Sequence, residues 1–156
     1  RRHSGYPGMV AKWDEYYERV LAPGESYPQL KKIKDKLRNN ISKKKAKKIY
    51  KGLIRSYYAK LKAKDYLDDP AGHAADYATR FSFLSRLRPD FAPAYYNWAC
   101  MVVLAAEDIS GDPLELLRKA FELDPSYRKK ALKDSDLKSL HKNPRFLKLL
   151  KSSGPK

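Results

Sequence analysis

A chain of 156 residues fits one domain, and its single cysteine, Cys100, excludes an internal disulfide framework. The net charge of +16 is distributed unevenly. Residues 1–67 hold 19 Lys/Arg against 6 Asp/Glu, residues 68–124 hold 5 against 10, and residues 125–156 hold 10 against 2. Two basic ends bracketing an acidic middle point to an anionic partner for the ends: nucleic acid, acidic protein or membrane surface. The longest apolar run, Ala99 to Ala106, is far too short to span a bilayer. With no visible secretory signal either, the expectation is a soluble protein of the cytoplasm or an organelle interior.

Residues 1–8, opening Arg1-Arg2-His3, read as a disordered or processed N-terminus. A helix is predicted from Met9 to Leu21, where Trp13, Tyr16, Tyr17, Val20 and Leu21 recur at helical spacing before Ala22-Pro23-Gly24. A second follows, with Leu30, Ile33 and Leu37 as its stripe. Ser42 then caps a long helix over 43–67. Its apolar positions are Ala46, Tyr50, Leu53, Tyr57 and Leu61, widened by Ile49, Ile54 and Tyr58, and its opposite face carries Lys44, Lys47, Lys48, Lys51 and Arg55. Asp68-Asp69-Pro70 starts a helix to about Leu87 with Ala74, Tyr77, Phe81, Leu84 and Leu87 inside. Pro89 and Pro93 bound a turn, and a helix runs from Ala94 to about Glu107. After the loop 108–111, Asp112 and Glu115 resemble a capping box around Pro113. That helix ends at Leu123, and Asp124-Pro125 begins the next. Helical turns are predicted around Asp136–His141 and Pro144–Leu150, followed by a flexible tail over 151–156.

An Asp or Asn directly before proline recurs at 69–70, 112–113, 124–125 and 143–144. Each pair sets an N-cap acceptor beside a residue that needs no amide partner in the first turn. No period-two alternation occurs, so the fold class is all-α, built from short-linked antiparallel hairpins. The carboxylates Asp68-Asp69, Asp108-Asp112 and Asp134-Asp136 fall at predicted helix starts, where capping accounts for them. The histidines His3, His73 and His141 lack a second ligand at metal spacing, and no phosphate loop or nucleophile elbow is present. No catalytic residue, metal or cofactor is therefore expected. Cys100, within an apolar run, reads as a small core hydrophobe.

Residues 94–125 carry the most specific pattern. Tyr95 occupies a first large apolar position, Trp98-Ala99 a large–small pair that admits a second helix, and Ala120 and Pro125 a later small residue and a terminal proline. This unit resembles a tetratricopeptide repeat, with Val102 and Pro113 as departures from the repeat's usual residues. Pro89 ends a weaker preceding unit, 36 residues before Pro125 and close to the repeat period. The stretch Asp136-Leu137 to Pro144-Arg145-Phe146 resembles the ending of bacterial-type repeat proteins, with Leu137, Leu140, Phe146 and Leu149 covering the last hairpin. The resemblance spans about 80–150. It implies a short solenoid of hairpins over about 43–89 and 94–125, capped by 126–150, within one domain over 9–150. The first half fits a divergent repeat or a different helical domain alike.

The resemblance further implies a protein-binding groove lined by the first helix of each pair, with Tyr58, Tyr96, Asn97 and Met101 as candidates. Core packing explains Tyr96 and Met101 equally well. The expected function is a non-enzymatic scaffold for a protein or peptide partner, an acidic one given the charge. The alternative is RNA or another polyanion held by Lys44, Lys47, Lys48, Lys51 and Arg55. A structural subunit docked by its basic ends on acidic neighbours fits the same sequence.

Overall fold

The computed structural model of the chain describes residues 41–63, 69–105 and 111–151. The helices expected over 9–21 and in the segment from Ser26 to Asn40, the loop 108–110, and both termini lie outside these residues. Within them the chain is all helical. α1 spans Lys43–Ala63, α2 Pro70–Leu87, α3 Ala92–Ala105, α4 Pro113–Leu123, α5 Tyr127–Lys133 and α6 Pro144–Lys151, with a 3₁₀ segment Ser135–Leu140 between α5 and α6.

The starts follow local chemistry. Ser42 Oγ accepts the Lys45 amide at 3.0 Å, Asp69 that of Gly72 at 2.8 Å, and Asp112 that of Leu114 at 3.0 Å. Asn143 Oδ1 accepts from Arg145 N at 2.8 Å. Each of these bonds satisfies an amide that the first turn leaves orphaned. Before α5, Asp124 Oδ1 instead accepts from Ser126 N at 3.1 Å in the preceding turn, and the cap residue Ser126 makes no side-chain cap bond. Two further details differ from expectation. α3 begins at Ala92, because Pro93 is accommodated inside a first turn that needs no proline amide. Glu115 does not complete a capping box with Asp112; its carboxylate accepts from Arg118 at 2.8 Å, one turn on.

α3 is the centre. It carries no charged side chain and packs on α2, α4 and the 3₁₀ segment. Ala94 and Ala99 on α3 and Ala74 and Ala120 on its neighbours have almost no exposed surface, so the backbones approach closely. Tyr77, Phe81, Leu84 and Leu87 of α2 and Leu117 and Phe121 of α4 fill the space around them. Leu137 and Phe146 are fully buried, with Leu140 and Leu149 packed on the same core. Gly111, before α4, has φ +115°, and a Cβ there would stand 3.0 Å from Trp98 Nε1. The turn therefore needs glycine both for its left-handed backbone and for the space that Trp98 occupies.

Arg80 departs from the usual rule for charged side chains, with 0% exposure. Its guanidinium meets Asp76 at 3.2 Å and lies 5.8 Å from the centre of the Tyr77 ring. Burial is tolerated because the partner carboxylate sits one turn away on the same helix.

Candidate interaction surfaces

α1 turns one face inward and one outward. Ala46, Leu53 and Tyr57 are buried, while Lys44, Lys47, Lys48, Lys51, Arg55 and Lys62 are exposed. The helix contains nine Lys/Arg and no acidic residue. Lys43 reaches Asp90 at 3.5 Å, but among the described residues none of those six exposed cations has a carboxylate within ion-pair distance. Tyr58, expected to widen the inward stripe, is 48% exposed, and its ring meets Tyr57 edge-on at 5.1 Å. Tyr57 takes the inward position and stacks on His73 at 4.5 Å.

The other groove candidates lie deeper. Tyr96 and Met101 are only 1% and 2% exposed, so both belong to the seam between helices rather than to an open face. α3 is buried on most of its circumference, which a periodicity argument for a half-buried helix does not anticipate. Asn97 is half-buried, and its Nδ2 donates to Tyr50 Oη at 3.0 Å and to Pro93 O at 3.1 Å. Both amide hydrogens are thus spent inside the fold, one of them joining α1 to α3.

A polar cluster forms around Asp134, the cap of the 3₁₀ segment. Asp134 Oδ2 accepts from Tyr96 Oη at 2.6 Å and lies 4.0 Å from Cys100 Sγ, while Oδ1 accepts from Asp136 N at 3.0 Å. Cys100 Sγ and carboxylate oxygens of Asp134 and Asp136 fall within 4.8 Å of one another. Burial, reinforced by the two carboxylates, pushes the Cys100 thiol well above its ordinary value. Burial likewise raises Tyr96, and it raises Asp136, helped by the neighbouring Asp134 charge. The arrangement holds the thiol and phenol protonated as donors to one carboxylate, the opposite of an activated nucleophile. Tyr96 stacks on Tyr127 at 4.6 Å, and Lys130 Nζ lies 5.6 Å from the Tyr96 ring centre. Nothing in the sequence joins Cys100 to Asp134, because 34 residues part them.

Beside this cluster, Val103 and Leu104 of α3 and Asp136, Lys138, Ser139 and Lys142 line an open groove of ≈ 790 Å³. Its floor is apolar and its rim carries two exposed lysines. No described helix is long and apolar enough to cross a membrane. No protein-family model matches the sequence, and searches of curated proteins and of solved structures each returned no match.

Proposed function

We propose that the chain is a non-enzymatic, tetratricopeptide-like scaffold that holds an extended segment of another protein against α3 and the C-terminal segment. The observation that carries this reading is the groove beside Val103 and Leu104, an apolar floor with a polar rim, the form that takes one buried side chain and orients its flanks. Two features support the repeat-like design. Short links join α1 to α2, α2 to α3 and α3 to α4, and each of these neighbours packs on the next. Tyr50 of α1 accepts from Asn97 of α3 at 3.0 Å and its ring meets Phe91, just before α3, at 5.9 Å, a link between the two hairpins that supports a stacked design. The protonated Cys100 and Tyr96 beside the groove favour a binding role over a chemical one. Lys138 and Lys142 on the rim favour acidic side chains flanking an apolar anchor.

A photo-crosslinking residue at Ser139, used in the source cells, tests this. The expected result is an adduct with one protein segment, whose purified form binds the chain directly and loses at least about tenfold in affinity to Leu104→Asp, the price of unseating one anchor. Crosslinks to nucleic acid alone, or an affinity indifferent to Leu104→Asp, would overturn the reading.

A further inference from the structure

The outward face of α1 is separate from that groove, and it has an arrangement that stability does not explain. Lys43, Lys44 and Lys45 crowd a first turn that itself holds no acidic residue, where the helix dipole disfavours cations, although Lys43 reaches Asp90 from outside the helix. Further along, Lys44–Lys48, Lys47–Lys51 and Lys51–Arg55 are like-charge pairs four residues apart, each mildly repulsive. A merely solvated face gains from alternating signs, and this one has a single sign.

Helix geometry adds a second feature. At roughly 100° per residue, Lys44, Lys47, Lys48, Lys51, Arg55, Tyr58 and Lys62 share an arc about 100° wide. The strip is about 27 Å long at a rise of about 1.5 Å per residue. Tyr58 is thus a half-exposed aromatic ring set between Arg55 and Lys62 in a row of cations that meet no carboxylate among the described residues. An acidic protein or an anionic membrane needs only the cations. A strand whose charged backbone carries unpaired aromatic bases uses both parts.

We infer that the outer face of α1 binds single-stranded nucleic acid, with Lys44, Lys48, Lys51, Arg55 and Lys62 along the phosphates and Tyr58 stacking on a base. The strip matches roughly eight nucleotides at a stacked spacing of about 3.4 Å. Tyr58 rests on Tyr57, itself buried, so the ring is backed by the core.

The test uses the full chain and a fluorescent 12-nucleotide oligouridylate, with anisotropy measured from 50 to 300 mM salt. Log affinity is expected to fall against log salt with a slope of about −3 to −4, since each phosphate contact contributes about 0.7 for a single strand. Combining Lys48→Ala, Lys51→Ala and Arg55→Ala should flatten that slope by about 2. Tyr58→Ala should weaken binding by roughly fivefold to 100-fold at unchanged slope, and Tyr58→Phe should restore it. Heparin, which offers charge without bases, should be indifferent to Tyr58→Ala. Equal loss for heparin, no loss with the oligonucleotide, a duplex bound as tightly as the single strand, or capture by phosphatidylserine vesicles alone would each overturn the proposal. Leu104 is not part of the strip, so failure of the groove reads out as peptide affinity indifferent to Leu104→Asp, and failure of the strip as oligonucleotide affinity indifferent to the Lys48, Lys51, Arg55 and Tyr58 variants.

Discussion

α1 and α3 are both helices of the same core, yet they have opposite characters. α3 has no charged side chain and is buried around most of its circumference; α1 carries nine cations and buries a single stripe. α3 packs on α2, α4 and the 3₁₀ segment, and Ala99, Cys100 and Met101 are buried on it. α1 keeps its place through Ala46, Leu53, Tyr57 and the Tyr50–Asn97 bond. Its outer face is therefore free to be shaped by something other than stability.

Substitutions sharpen this contrast, and the largest effect belongs to α3. Met101→Ala should cost about 2–5 kcal/mol, read from the midpoint of chemical denaturation, since a cavity opens at a buried site. A cost under about 0.5 kcal/mol would show that α3 is not the centre. Next, Gly111→Ala should lose about 1–2 kcal/mol through the left-handed backbone and should perturb Trp98 fluorescence, because the new methyl meets the indole. On α1 the sign reverses. Lys44→Glu should stabilise by about 0.3–1 kcal/mol, the acid now complementing the dipole, while weakening oligonucleotide binding. A gain in thermal stability without a loss of binding would separate charge from function at that turn.

The smallest effect concerns pH. Asp136 has its carboxyl raised in the fold, so the protonated form is favoured there. Its contribution is fully present below the unfolded value, 3.8, and declines as pH rises through the higher folded value. Asp136→Asn should therefore raise the melting temperature at pH 7, with a gain that shrinks as pH falls toward 3. An equal gain at both pH values would mean that the charge is not the cause.

Several features were legible along the chain because their physics is local. The Asp-Pro and Asn-Pro pairs at 69–70, 112–113 and 143–144 set helix starts through bonds that reach only two or three residues. The apolar spacing of α2 placed Ala74, Tyr77, Phe81, Leu84 and Leu87 inward together. Leu137 and Phe146 were readable as core from their place in a short amphipathic ending. Arg80 was less so: Asp76 one turn before it is visible in sequence, but its complete burial depends on what packs over α2.

The sequence by itself determined the helices, their caps and the basic strip, because capping, periodicity and charge spacing act within one or two turns. Only the tertiary structure decided which aromatics remain outside. Tyr57 and Tyr58 are adjacent and chemically identical, yet α2 covers one through His73 and Tyr77 and leaves the other half-exposed. It also brought Tyr96, Cys100 and Asp134 together, and sealed Tyr96 and Met101 into a seam that a one-sided helix would have left open. The reason is that burial is a property of neighbours, and the neighbours of α3 come from segments tens of residues away.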